Sequence, residues 1–331
     1  MAQKFEKLNE FRKGLYKKDE SQEKFLEDFN KYLLKKELNE YRSYSINHPF
    51  IFIIGAPRSG TTLLSQLISN TFDISYINNV AARFFLAPLH GIRFSKSLIG
   101  ESKNSDFNSN YARTNNLSDI HEFGYFWRYW LKKNSFDDIT YAKSKENEIE
   151  WLKVRDILST IQFETNKPFV FKNIYGSYHM KKFTEILDKV IFVYIERDNL
   201  DTAVSILNAR KKYNKDLNVW WSYQPLEYNK LKDKDYWTQI AGQVYYLKKY
   251  YRKELEELEE KNKFHVTYQQ LCESPKSVID GIMNISEKNW NYKFNKINTP
   301  PAKFPFRKYE DSETEKHKFA EIFNAFNNQS D

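Results

Sequence analysis

Between residues 50 and 54 the chain reads FIFII, an unbroken apolar run, and polar positions return at a glycine-framed loop, GAPRSG. A run this short, bounded by turn residues, predicts a strand buried on both faces. The next segment, TTLLSQLISNTF, sets Leu63, Leu64, Leu67 and Ile68 on one stripe and predicts a helix. The same rhythm returns downstream. PFVFKN and KVIFVYIE predict strands, whereas NEIEWLKVRDILSTIQFET, YHMKKFTEILD and LDTAVSILNARKKY predict helices. DIHEFGYFWRYWL predicts an aromatic helix carrying His121 and Glu122. Strands alternating with helices over short links predict an α/β fold, a central parallel sheet with helices on both faces.

Residues 3–40 place Phe5, Leu8, Leu15, Phe25, Phe29, Tyr32 and Leu33 at spacings of three to four, opposite faces rich in Lys and Glu. This predicts a pair of amphipathic helices. The chain then divides into N-terminal helices (1–47) packed on one domain (48–331). Residues 90–118 are polar and aperiodic and predict an exposed loop or insertion. Residues 235–262 predict one long helix. FHVTY predicts a short strand, followed by two helices, the second opened by Pro275. Residues 291–312 predict a loop, and SETEKHKFAEIFNAF a last helix.

Composition adds limits. With 331 residues, 40% of them hydrophobic, the chain can bury a large core, and its mean hydropathy of -0.75 is that of a water-exposed protein. FIFII is far too short to span a bilayer, and the charged start MAQKFEKLNEFRKG lacks the apolar centre of a secretory signal. A lone cysteine, Cys272, excludes an intramolecular disulfide and predicts a reducing compartment, the cytoplasm. The six histidines are scattered without metal-ligand spacing, so no metal is expected. The net charge of +8 suits an anionic partner without choosing among nucleic acid, a membrane surface and a phosphorylated or sulfated molecule.

The glycine-framed loop narrows that choice. Strand, loop and helix in this order put a ring of backbone N–H groups at a helix N-terminus, which holds phosphate-like anions. Gly55 and Gly60 permit close approach, Ser59, Thr61 and Thr62 add hydroxyls, and Arg58 adds a planar cationic fork. Thr61 occupies the slot where a nucleotide triphosphatase carries lysine, which argues against a kinase or triphosphatase. A second segment, VIFVYIERDNLDTAVS, puts Arg197 at the carboxyl end of a strand, where α/β sheets bind ligands, and Ser205 in the following helix. The two could hold a second phosphate.

Together the segments resemble the sulfotransferases that use 3′-phosphoadenosine 5′-phosphosulfate. In that family P-[KR]-S-G-T-T holds the 5′-phosphosulfate; here it reads Pro57-Arg58-Ser59-Gly60-Thr61-Thr62. The family's R-[DN]-P-x-D-x-x-x-S holds the 3′-phosphate. It reads here Arg197-Asp198-Asn199-Leu200-Asp201 with Ser205, Asn199 standing for proline as a possible helix cap. PFVFKN resembles the strand whose lysine faces the sulfonate, here Lys172. FHVTYQQLCESPKSVIDGIMNI resembles the segment Y-E-x-L-x-x-x-P, with Gln269 or Gln270 where an acid is usual. The resemblance covers about residues 50–75, 168–211 and 264–286.

It implies a P-loop-like sulfotransferase fold and transfer of a sulfonate to a hydroxyl or amine by in-line displacement, without a metal. Arg58 and Lys172 would flank the sulfonate. Ser59, Gly60, Thr61 and Thr62 would hold the 5′-phosphate, and Arg197 and Ser205 the 3′-phosphate. The base falls to Glu122 or His121, since Asn78 and Asn79 after the loop helix cannot serve. Neighbours on a helix point about 100° apart, so one of the two is expected at the site. The acceptor would be a small molecule, glycan or lipid hydroxyl rather than nucleic acid, without stable membrane insertion. Trp220, Trp221 and Tyr223 are candidates to line its pocket, and Arg307 to approach the cofactor. A non-catalytic binder of the same fold is the remaining alternative.

Overall fold

The computed structural model describes residues 9–100, 107, 116–309 and 312–328. Its strands are β1 (Phe50–Ile54), β2 (Ser75–Tyr76), β3 (Phe169–Lys172), β4 (Val190–Glu196) and β5 (Lys263–Thr267). They pair in parallel in the order β2-β3-β1-β4-β5. β1 is buried along its whole length, as a strand apolar on both faces must be, and takes the centre.

Alternation along the strands gives the sheet two different faces. Phe50, Phe52, Phe169, Phe171 and Phe192 point to one side, where Trp127 and the helices Trp151–Thr165 and Met180–Ile186 cover them. The Phe52 ring lies 5.6 Å from Phe171, 5.3 Å from Phe192 and 4.9 Å from Phe183. Ile51, Ile53, Val170, Ile191 and Val193 point to the other side, against the helices Thr61–Thr71 and Pro275–Trp290. Lys172 continues the Val170 side, so it emerges beside the start of Thr61–Thr71. A third cluster joins Asn199–Tyr213, Tyr236–Glu256 and Glu313–Asn328 through Leu207, Val244, Phe319 and Phe323.

Three segments differ from the pattern. Of the predicted helix over 3–40, the described part holds one long helix, Glu20–Glu37, and a single 3-10 turn at Gly14–Tyr16. Asp19 caps the long helix through the Gln22 amide, which stops it extending backwards. Residues 11–13 run instead along 213–215, the Lys13 amide donating to the Tyr213 carbonyl and that of Lys215 to Phe11, both at 2.8 Å. Residues 3–8 lie outside the described residues.

Residues 90–118 are not a loop throughout, because Pro88–Ile99 is a helix. The buried Glu37 carboxylate accepts the amides of Leu89 at 2.7 Å and His90 at 3.2 Å and satisfies the start of that helix. A cap supplied from so far along the chain leaves no local signal. Residues 101–106 and 108–115 lie outside the described residues. Finally, residues 121–123 are not helical: the aromatic helix begins at Gly124. The His121 amide donates to the Ile77 carbonyl at 2.8 Å, and Ile120 bridges Asn78, tying this segment beyond the end of β2. Among the described residues no helix is long and apolar enough to cross a membrane.

Candidate active site

The carboxyl ends of β1, β3 and β4 lie side by side, and each delivers one part of the site. After β1 the loop turns at Arg58, whose φ of 69° is left-handed for a residue with a side chain. Such strain persists where surrounding structure over-determines it, and it concentrates at functional sites. Gly60 (φ 105°) begins the helix Thr61–Thr71. A Cβ on Gly60 would lie 2.7 Å from the Tyr268 ring, and one on Gly55 would lie 2.6 Å from Ser59 Oγ. Gly60→Ala is therefore expected to destabilise by about 1–3 kcal/mol. A lowered thermal midpoint shows it, and an unchanged midpoint contradicts the left-handed start.

From β3, Lys172 is buried and its Nζ donates to Thr62 Oγ1 at 2.7 Å. A lysine thus stands beside the start of Thr61–Thr71, from the neighbouring strand rather than from the loop. Glu122 Oε1 sits 2.7 Å from the same ammonium, with its side chain 37% exposed. One carboxylate therefore faces the buried lysine and reaches solvent. His121 is turned to other work, since its Nδ1 accepts the Phe123 amide at 2.9 Å. His121 is exposed at the surface, and its pKa is lowered to about 4, desolvation by the neighbouring protein leading, Glu122 opposing the shift and Lys172 adding to it. The structure brings Glu122 and not His121 to the cleft lined by Arg58, Thr61, Lys172 and Ile174.

After β4 comes Arg197, buried, with Nη1 donating to the Arg58 carbonyl at 3.3 Å and Nη2 to the Arg307 carbonyl. Its guanidinium lies 4.5 Å from the Tyr268 ring centroid and 5.5 Å from that of Tyr309. Ser205 Oγ accepts Arg58 Nε and the Tyr309 hydroxyl, each at 3.0 Å. A single hydroxyl thus joins the β1 loop to the helix after β4. Asn199 does not cap that helix; Asp198 does, accepting the Asp201 amide at 2.9 Å. Asn199 Oδ1 instead accepts Lys248 Nζ at 2.5 Å, and the same ammonium donates to the Arg197 carbonyl.

Tyr268 opens the segment that resembles Y-E-x-L-x-x-x-P, but the pattern assigns neither it nor Tyr309 to the site, and their place beside Arg197 shows only in tertiary contacts. Arg307 does meet Arg197, but through its carbonyl, while its side chain is exposed. Of the aromatic candidates, Trp221 lines the cleft together with Ser222, whereas Trp220 and Tyr223 are core residues. Among the described residues no group of three His, Cys, Asp or Glu gathers as for a metal.

The model of the sulfotransferase family matches residues 49–291, most of the chain and every part of this cleft. The chain belongs to the sulfotransferase family. The sulfotransferase is similar in fold to STF9 from Mycobacterium avium, at 14% identity and a TM-score of 0.51 over 89% of this chain and 81% of that one. It is similar also to STF1 from Mycobacterium tuberculosis H37Rv, at 13% identity and a TM-score of 0.51 over 87% of this chain and 81% of that one. No curated protein matches it. Sulfonate transfer is the activity of this family, and in this sulfotransferase Arg58, Lys172 and Arg197 stand at or just beyond the carboxyl ends of three adjacent strands.

Proposed function

We propose that the donor is 3′-phosphoadenosine 5′-phosphosulfate and that the sulfonate passes to a hydroxyl or amine acceptor, releasing adenosine 3′,5′-bisphosphate. The observation that carries this reading is the linkage of Arg58, through Ser205, to the neighbourhood of Arg197, with Lys172 and Glu122 on the same cleft. Two anion sites thus share one frame.

The residues fit such a ligand. Ser59 Oγ and Arg197 Nε are buried without a hydrogen-bond partner, and each is a donor that a phosphate oxygen would satisfy. The start of Thr61–Thr71 offers first-turn amides. Ser59, Gly60, Thr61 and Thr62 would hold the 5′-phosphate, Arg197 and Ser205 the 3′-phosphate. The bound donor supplies a sulfonate on a phosphate oxygen, a good leaving group. Arg58 and Lys172 neutralise the charge that grows on that oxygen as the S–O bond breaks. Glu122 takes the proton of the acceptor as its oxygen or nitrogen forms the new bond to sulfur. His121 is not needed as a base, because its Nδ1 lone pair is occupied. The acceptor class is a small molecule, glycan or lipid, and the compartment is the cytoplasm, in keeping with the single buried Cys272.

Thermal denaturation tests the reading. Adenosine 3′,5′-bisphosphate without metal is expected to raise the unfolding midpoint, while ATP with Mg²⁺ does little. Stabilisation by ATP with Mg²⁺ and none by the bisphosphate would sink it.

A further inference from the structure

The turn at Trp221 and Ser222 also lines the cleft. It belongs to no helix or strand, yet side chains from several elements hold it. Arg210 Nη1 donates to the Leu217 carbonyl at 3.0 Å and Asn214 Nδ2 to Val219 at 3.0 Å. Gln224 Nε2 donates to Ser222 at 3.2 Å, and the Tyr178 hydroxyl donates to the Gln224 carbonyl. Gln243, fully buried in the helix Tyr236–Glu256, donates from one Nε2 to the Trp221 carbonyl at 3.1 Å and to the Tyr223 carbonyl. Those two carbonyls flank Ser222, whose φ is 66°.

Two unfavourable features meet here. Ser222 is left-handed without being glycine, and Gln243 Oε1 is buried without a partner. A loop needing only to close a chain would not require either. A wall that must stand at a fixed distance from a reacting group does, because misplacement of a bound reactant lowers rate steeply.

Chemistry divides the cleft. Arg58, Thr61, Glu122 and Lys172 gather at the strand ends, whereas Ile53, Ala56, Pro57, Ile174 and Trp221, whose ring also packs near Tyr213, make the rest of the lining largely apolar. A sugar ring would bring several hydroxyls against that surface and leave them unpaired. An apolar body with one hydroxyl would not. We propose that the Trp221–Ser222 turn is the acceptor wall, that it selects a hydroxyl carried on an apolar body, and that Gln243 is the positioning residue that sets it. This rests on the sulfonate-acceptor reading of the same cleft.

The test uses the full chain, 2-naphthol and methyl β-glucoside as probes, and calorimetry with and without adenosine 3′,5′-bisphosphate. Wild type is expected to bind 2-naphthol and to bind methyl β-glucoside more weakly. Gln243→Met, similar in size but without donors, is expected to weaken 2-naphthol by about fivefold, the order of one lost hydrogen bond, and Trp221→Ala by at least as much. Nucleotide affinity should hold within about twofold, since a merely structural role for Gln243 would weaken both ligands together. With 2-naphthol as acceptor, its KM rises while the KM of the donor does not. If Gln243→Met does not fold, Trp221→Ala decides. Equal 2-naphthol affinity in wild type and the folded variants, or tighter binding of the glucoside, overturns the proposal. Failure of the donor reading shows separately, as wild type that does not bind the nucleotide, and leaves the naphthol comparison intact.

Discussion

Arg197→Ala is expected to weaken adenosine 3′,5′-bisphosphate by about a hundredfold, the loss of one to two hydrogen bonds to a charged group. The arginine is buried beside Tyr268 and Tyr309, and its Nε has no partner. A phosphate would gain a charge-assisted bond to that nitrogen. Arg197→Lys should recover only part of the affinity, because an ammonium cannot reproduce the guanidinium fork. The unfolding midpoint without nucleotide serves as the control, since the side chain also ties the Arg58 and Arg307 carbonyls together. Unchanged affinity in a folded Arg197→Ala protein would remove Arg197 from the 3′-phosphate site.

Glu122→Gln is expected to lower kcat by about 10²–10⁴, the usual contribution of a positioned base. The amide keeps the shape beside Lys172 and loses the ability to take a proton. Lys172 is already held by Thr62, so nucleotide affinity should change by no more than about tenfold, one ion-pair's worth at a half-open site. His121→Asn should leave kcat near wild type, because the histidine's Nδ1 is occupied by the Phe123 amide. The reverse pattern, a small loss for Glu122→Gln and a large one for His121→Asn, would exchange the two assignments.

How much of this was legible follows the range of the interactions. The run FIFII, the loop and the helix after it are local, so periodicity places them, and the structure has them at Phe50–Ile54 and Thr61–Thr71. Arg197 at the end of β4 is legible for the same reason. The choice between His121 and Glu122 was not. Helical spacing was the wrong frame, because hydrogen bonding to Ile77 holds residue 121 outside the helix. The helix Pro88–Ile99 was hidden because its cap, Glu37, comes from a different helix. Tyr268 lies in a segment that the motif pattern marks, but that pattern gives it no partner; it and Tyr309 meet Arg197 only when the end of β5 and the C-terminal segment converge on β4. The aromatic run at 220–223 shows the same limit. Composition finds it, but only tertiary structure shows that Trp221 contributes to the cleft lining while its ring packs near Tyr213, and that Trp220 stacks with Arg210.

The neighbours that hold Arg197 are two carbonyl oxygens and two aromatic rings, all of them uncharged. They orient the guanidinium without cancelling its charge. Its charge therefore remains available to an anion at the carboxyl end of β4. On the proposed donor reading, a multiply charged nucleotide would be drawn in before it touches any residue, and dissolved salt, by shortening the reach of that charge, would slow the encounter more than it loosens the bound state.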